Sequence, residues 1–255
     1  GTVITELPPE HAVEVKKKLD AAGIRVNMFG SPIGKIDIAD DFEIDLKRLR
    51  HLGELRPVLD CTRVRMFSYY NKNGADAAVW RETCLERMKR LCEVASECGL
   101  ALYHENERHI FGDRLPEICV LRDEVHRQFP EQFKLIFDFD NFNQSGDDVW
   151  ANWVELRDDT EAIHLKDSKR QDDGTCQHMP AGQGDGQIPK ILADASERGW
   201  QGPLTLEPHL SHSKAVLATG ASGSGNQALA DMPQEQTFQI AADAAIEILQ
   251  QVGQR

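Results

Sequence analysis

A helix, a glycine and a short apolar strand recur in that order along this 255-residue sequence. Three helical segments end at Gly23, Gly99 and Gly199, and glycine is favoured just past a helix end because it adopts the left-handed conformation without strain. A helix before each strand removes the need for hairpins and favours parallel pairing through helical crossovers. The pattern therefore predicts an α/β fold.

The segments that read as strands begin about 27 to 41 residues apart, which suits a βα unit. Six strands are predicted, at Ile24–Phe29, Arg63–Phe67, Leu100–His104, Leu135–Phe139, Ala162–Leu165 and Pro203–Leu206. Helices are predicted at Glu10–Ala22, Phe42–Val58, Asp76–Cys98, Leu115–Arg127, Val149–Leu156, Ile188–Arg198 and Gln236–Val252. Repetition at this scale indicates either a doubly wound sheet or a (β/α) barrel.

The start of the chain is unusual for a barrel. Gly1–Leu7 reads as a loop that leads straight into a helix, with no strand before it. If the fold is an eight-stranded barrel, its first two strands would precede Gly1. We therefore expect a single (β/α)8 TIM-barrel domain over residues 1–255 that is N-terminally incomplete, with an open six-stranded sheet as the alternative.

Length and composition fit one globular domain, with 40% hydrophobic and 28% charged residues. No apolar run approaches the ~18 residues that span a bilayer, and no signal-peptide pattern opens the chain. The net charge of −13 disfavours a nucleic-acid partner, because phosphate binding depends on basic residues. The six cysteines show no CxxC spacing, which favours reduced thiols in a cytoplasmic protein.

Four successive predicted strands deliver a side chain that can bind a metal, namely Glu105, Asp138, His164 and Glu207. Alone, each is more often a loop cap, a salt-bridge partner or a hydrogen-bonded core residue. Four at the ends of four strands are much harder to explain by chance, and barrel active sites lie at the carboxyl ends of the strands. This donor set suits Mn²⁺, Mg²⁺, Co²⁺ or Zn²⁺ better than copper or an iron–sulfur cluster.

Other polar residues lie near the same predicted rim. Lys166 shares a face with His164 and would either polarise a substrate oxygen or pair with Asp167. Arg65 would hold a substrate anion or, as we favour, pair with a carboxylate. Further substrate-binding candidates are Ser31, Lys35, Asn106, His209 and His212, whereas His104 faces the helix layer and is expected to be structural. The low-complexity segment Ala218–Pro233 reads as a flexible loop, with an active-site lid as the alternative.

The chain resembles the xylose-isomerase-like TIM-barrel superfamily of sugar-phosphate isomerases and epimerases. The resemblance covers essentially the whole chain and rests on the motifs YHEN (Tyr103–Asn106), FDFDNF (Phe137–Phe142), IHLKD (Ile163–Asp167), AGQGDG (Ala181–Gly186) and LTLEPHL (Leu204–Leu210). FGSPIGK (Phe29–Lys35) and RMFSYY (Arg65–Tyr70) are similar to its third and fourth barrel strands. The resemblance implies that two barrel strands precede Gly1.

For the site, the resemblance implies one divalent metal ion, with Mn²⁺ favoured, on Glu105, Asp138, His164 and Glu207. Glu105 and Glu207 would transfer protons through a metal-stabilised enediolate, with Lys166 as a further catalytic residue. Two positions depart from the family pattern. Asn141 stands where related epimerases often have a histidine, and Gln183 replaces the glutamate of a GEG turn.

The leading functional hypothesis is an isomerase or epimerase of a small sugar, sugar phosphate or keto-polyol. A dehydratase or lyase acting on a keto-inositol-like or keto-sugar substrate is the alternative, since the same chemistry can expel a hydroxyl group. An apurinic-endonuclease-like enzyme is disfavoured by the charge of −13, and a non-catalytic sugar-binding barrel is a further alternative. The expected partner is a small carbohydrate rather than nucleic acid or membrane, and association into a homo-oligomer is compatible with the superfamily.

Overall fold

The computed structural model of the protein describes residues 2–211, 226–229 and 232–253. The chain forms two compact units, Gly1–Ile136 and Phe137–Arg255. His212 and most of the predicted lid segment lie outside the described residues. Within the described part of the chain, no helix combines the length and the apolar character that a membrane span requires.

The first unit alternates helices and strands. Its elements are α1 (Pro9–Ala21), β1 (Phe29–Gly30), α2 (Glu43–Leu59), β2 (Arg63–Met66), α3 (Ala77–Cys98), β3 (Ala101–Glu105), α4 (Leu115–Leu121) and β4 (Phe133–Asp138), the last of which continues into the second unit. The strands pair in parallel in the order β1-β2-β3-β4. In this register Arg65 lies opposite Tyr103, and Glu105 lies opposite Ile136.

Local sequence signals explain the helix ends of this unit. The Asp76 side chain accepts a hydrogen bond of 2.9 Å from the backbone N–H of Ala78 and so caps α3. Gly99 ends the same helix with a φ of 66°, a conformation that favours glycine. Along α2, Leu49, Leu52 and Leu55 are fully buried at helical spacing. Burying each of these side chains contributes about 1.5–3 kcal/mol.

The second unit contains a parallel strand pair and a hairpin. Its elements are α5 (Phe139–Ser145), α6 (Val149–Leu156), β5 (Thr160–Leu165), β6 (Asp167–Arg170), β7 (Cys176–Met179), α7 (Ile188–Glu197), β8 (Leu204–Leu206) and α8 (Gln234–Gly253). β5 pairs with β8 in parallel, whereas β6 and β7 pair in antiparallel. Trp153 is buried against Phe137, with ring centroids 5.3 Å apart, and donates a hydrogen bond to Asp194.

The structure confirms the α/β fold and corrects three details. The predicted strand Ile24–Phe29 is reduced to Phe29–Gly30, because Ile24 is 54% exposed and has no buried face to pack. The hairpin β6–β7 was not predicted, since its sequence is largely polar and lacks a strand-like apolar alternation. Helix α5 was also missed. The predicted strand ran through Phe139, whereas β4 ends at Asp138, which caps a helix that begins at Phe139.

Candidate metal site

Asp138 occupies the last position of β4 and its side chain is fully buried. Its Oδ1 atom accepts a hydrogen bond of 2.8 Å from the backbone N–H of Asn141, which caps α5. This cap orients the carboxylate. Its Oδ2 atom lies 4.0 Å from Nδ1 of His164 and 3.2 Å from Nζ of Lys166.

His164 and Glu207 are brought together by the pairing of β5 with β8. The backbone N–H of Glu207 donates to the carbonyl of Leu165, so Glu207 extends the β8 side of this pair. Nδ1 of His164 lies 3.4 Å from Oε2 of Glu207. His164 is 3% exposed and Glu207 28% exposed, so the histidine is enclosed while the carboxylate reaches solvent.

Asp138, His164 and Glu207 form a group that is able to hold a divalent cation. Each offers one ligand atom, and these atoms lie within 4.8 Å of one another. Two carboxylates and one imidazole are a hard to borderline donor set, which fits Mn²⁺, Mg²⁺, Co²⁺ or Zn²⁺. The structure therefore supports a metal site of the predicted chemical type without deciding which metal binds.

Glu105, the predicted fourth ligand, belongs to the first unit. It ends β3, is 2% exposed, and its Oε2 atom lies 3.3 Å from NH1 of Arg65 on the neighbouring strand. Arg65 thus pairs with a carboxylate, the role that the sequence favoured. Glu105 also lies opposite Ile136, two residues before Asp138 in β4. Its ligand role stays a prediction.

Lys166 is buried beside Asp138 in the second unit. Besides the contact with Asp138, its Nζ atom donates a hydrogen bond of 3.0 Å to Oδ1 of Asn141. Asn141, the residue that departs from the family pattern, therefore helps to hold the lysine in place. The structure thus places Lys166 against Asp138 and Asn141.

Asp167 instead organises the glycine-rich turn. Its carboxylate accepts hydrogen bonds of 2.9 to 3.0 Å from the backbone N–H groups of Gly182, Gly184 and Gly186. A Cβ atom at position 184 would lie 2.4 Å from Oδ1 of Asp167, so this approach requires glycine. Burial raises the pKa of Asp167 to about 6, although the three backbone hydrogen bonds act in the opposite direction. The regular spacing of the glycines was the sequence signal for this arrangement.

A second polar group of the same unit was missed by sequence reasoning. Nδ1 of His178, on β7, lies 3.3 Å from Oδ2 of the buried Asp140, and the His178 ring contacts that of His209. Burial alone would raise the pKa of Asp140, but His178, Lys166 and Ser168 together lower it. His178 was overlooked because the hairpin that carries it was not predicted.

The remaining candidates lie in the first unit. The Ser31 hydroxyl donates to the backbone carbonyl of Arg65, and Nζ of Lys35 lies 2.8 Å from Oε2 of Glu107, while Asn106 is buried. Their substrate-binding roles stay predictions. His104 is fully buried with Nε2 2.9 Å from the Ser68 hydroxyl, and burial lowers its pKa to about 3. This placement agrees with the structural role that the sequence predicts.

Comparison with known proteins agrees with this architecture. A family model described as a xylose isomerase-like TIM barrel matches residues 3–231. The chain belongs to this family. Asp138 is the last residue of β4 and Glu207 follows the last residue of β8, so both stand at the carboxyl end of a strand. No curated protein matches the chain at a significant level.

Solved structures with the same fold include enzymes of different reaction types. A probable 3-DHS dehydratase, AsbF, from Bacillus anthracis is 19% identical, with a TM-score of 0.63 over 78% of this chain and 75% of that one. The 3-keto-D-glucoside 4-epimerase YcjR from E. coli is 16% identical, with a TM-score of 0.66 over 95% and 85%. A xylose isomerase-like TIM barrel protein from Mycobacterium smegmatis in complex with magnesium is 18% identical, with a TM-score of 0.66 over 94% and 80%. At these identities the likeness shows the fold alone.

Proposed function

We propose that this protein is a divalent-metal-dependent isomerase or epimerase of a small sugar, sugar phosphate or keto-polyol. The observation that carries the proposal is the group formed by Asp138, His164 and Glu207, whose ligand atoms lie within 4.8 Å of one another. Lys166 lies beside this group, 3.2 Å from Asp138. The three ligand side chains can bind a divalent cation, and the neighbouring ammonium group of Lys166 can contact a substrate oxygen.

Glu105 is the proposed fourth ligand. It ends the strand next to β4 and lies opposite Ile136, two residues before Asp138. Arg65 balances its charge in the present state, and a cation would take over part of that role. Mn²⁺ is the metal that we favour, with Mg²⁺, Co²⁺ and Zn²⁺ as alternatives; a magnesium complex of a protein with this fold supports a hard cation.

The chain's own side chains divide the chemistry between them. A divalent cation in this group supplies Lewis-acid stabilisation of negative charge on a substrate oxygen. Glu207 points its two oxygens in different directions, Oε2 toward His164 and Oε1 toward His209. Oε1 would therefore take a proton from the substrate carbon or return one, and Glu105 would serve as the second acid or base. Lys166 would donate a hydrogen bond to a substrate oxygen.

A dehydratase acting on a keto-sugar or keto-inositol-like substrate is the second candidate. The same proton abstraction leads to loss of a β-hydroxyl group if Lys166 or Glu105 protonates that leaving group instead of the carbon. A probable 3-DHS dehydratase among the proteins with this fold supports this candidate. Substrate contacts are proposed for Arg65, Asn106, His209, Ser31 and Lys35. The cytoplasmic location and the homo-oligomer stay predictions.

The deciding experiment is an Mn²⁺-supplemented assay against ketoses, sugar phosphates and keto-polyols with full product analysis. We expect an epimer or isomer, whereas a product that has lost water with no epimer formed would favour the dehydratase. Glu207→Gln should lower turnover by about 100-fold or more, because the variant loses both a ligand and a base. Glu197→Gln, at an exposed position of α7, is the matched control and should retain activity. Unchanged activity of Glu207→Gln would contradict the proposed site.

A further inference from the structure

A row of side chains in the second unit leads from a buried carboxylate to Glu207. It consists of Asp140, His178 and His209. Asp140 is fully buried and His178 is 2% exposed, whereas His209 is 16% exposed. The row therefore connects the interior of the unit with the partly open end at which Glu207 lies.

The inner end of the row is held firmly. Asp140 lies in the first turn of α5, where its Oδ2 atom accepts a hydrogen bond from Gln144 and lies 3.3 Å from Nδ1 of His178. His178 is opposite Ser168 in the hairpin β6–β7. The Asn143 side chain donates to both the carbonyl and the hydroxyl of Ser168, which ties α5 to the hairpin. These contacts hold the strand that carries His178 against α5, and the His178 ring is itself enclosed.

The outer end of the row is set in an unfavourable backbone conformation. His209 has a φ of 45°, in the left-handed region that non-glycine residues rarely adopt. Its ring meets that of His178 edge to face, with centroids 5.3 Å apart and an interplanar angle of 85°. Such strain persists where the surrounding structure holds the residue in place, and it occurs preferentially at functional sites. Nε2 of His209 lies 3.8 Å from Oε1 of Glu207.

We propose that His178, anchored on Asp140, is a positioning residue that holds the His209 ring beside Oε1 of Glu207. The inference rests on the proposed function, in which Oε2 of Glu207 faces the metal ligands and Oε1 serves the substrate. With its ring fixed, His209 keeps Nε2 facing Oε1 at 3.8 Å, a charge contact that favours the tautomer with the proton on Nε2 and keeps the two oxygens of the carboxylate in separate roles. His178 itself touches neither the substrate nor the ligand group in this arrangement.

Two variants of His178 each remove one of its two contacts. His178→Phe keeps a ring beside His209 but loses the partner of Asp140, whereas His178→Asn keeps a donor for Asp140 but loses the ring. The first readout uses metal-free protein at pH 8 and is the tautomer of His209, measured by long-range ¹H–¹⁵N correlation. We expect a single Nε2–H tautomer in the wild type and a mixture of tautomers in both variants. His11→Gln, exposed on α1, is the control and should leave the His209 signals unchanged.

The second readout is steady-state kinetics of the Mn²⁺-loaded protein. Changes to residues that orient metal ligands lower metal affinity or activity by about 10–100-fold. We expect a loss of this size in kcat, with KM changed less than twofold. The inference would be overturned if both folded variants kept a single His209 tautomer and an unchanged kcat. A fall in melting temperature alone would not rescue it. If the wild type turned over no substrate, the proposed function would fail, and the tautomer measurement would still decide whether His178 positions His209. If one variant does not fold, the other decides.

Discussion

The ammonium group of Lys166 lies 3.2 Å from Oδ2 of Asp138, an oxygen that also faces His164. A cation on this oxygen would approach Lys166 closely, so the lysine and a metal compete for the same negative charge. The hydrogen bond from Lys166 to Asn141 would hold the lysine near the site if Asp138 bound a metal. In the function that we propose, Lys166 would therefore weaken cation binding while it offered a positive group to a substrate oxygen.

Replacing Lys166 by methionine should strengthen Mn²⁺ binding about tenfold. The variant removes the repulsion between the ammonium group and the cation, which amounts to a few kcal/mol before solvent screens part of it. The same variant should lose most of its turnover. Isothermal titration calorimetry and the activity assay measure the two effects. Lys169→Met, at an exposed position of β6, should change neither. Weaker Mn²⁺ binding by Lys166→Met would show that the lysine supports the site rather than competing with the cation.

Replacing His164 by asparagine should weaken Mn²⁺ binding by more than the 10–100-fold typical of outer-shell changes, because a nitrogen ligand is lost. For the wild type, free Mn²⁺ at 100 times its dissociation constant should stabilise the fold by about 2.7 kcal/mol. Calorimetric unfolding with and without Mn²⁺ checks both statements. His11→Asn is the control and should keep the full shift. An equal shift in His164→Asn would exclude this histidine as a ligand.

Replacing Gly184 by alanine should destabilise the protein by about 2–4 kcal/mol, in the range of severe steric changes. The added Cβ would lie 2.4 Å from Oδ1 of Asp167 and 2.5 Å from the carbonyl oxygen of Ser168. It would therefore displace the carboxylate from its three backbone donors. Urea unfolding measures the loss. Gly253→Ala, with open space around the added atom, should stay within about 0.5 kcal/mol of the wild type.

His104 should make the stability depend on pH. Burial lowers its pKa to about 3 in the folded protein, whereas the unfolded chain binds a proton near pH 6.5. The stability that neutral His104 contributes is therefore present above pH 6.5 and is lost as the pH falls toward 3, at about 1.4 kcal/mol per pH unit. Urea unfolding of the wild type and of His104→Gln between pH 7.5 and 4.5 should show their difference shrinking with that slope. A difference independent of pH would mean that His104 takes up its proton at the same pH in the folded protein as in the unfolded chain.

Much of the fold followed from local chemistry. Asp76 and Gly99 carry helix-end signals within a few residues of the helix they bound, and the structure has α3 between them. The strand segments that end near Glu105, Asp138 and Glu207 were recognisable because a polar side chain follows a short apolar run. Ile24–Phe29 was predicted too long because its apolar residues indicate a strand, whereas pairing and burial are available only at Phe29–Gly30.

The sequence by itself thus determined the order of helices and strands and the strand ends at which the candidate ligands lie, because both depend on neighbours along the chain. Only the tertiary structure decided which partners these side chains meet. Lys166 contacts Asp138 and Asn141, and the carboxylate of the adjacent Asp167 is bound by the glycine turn. His178 reaches Asp140 only through a polar hairpin, and no periodicity marks contacts between residues 38 positions apart. Such contacts are set by packing, which distant parts of the chain create together.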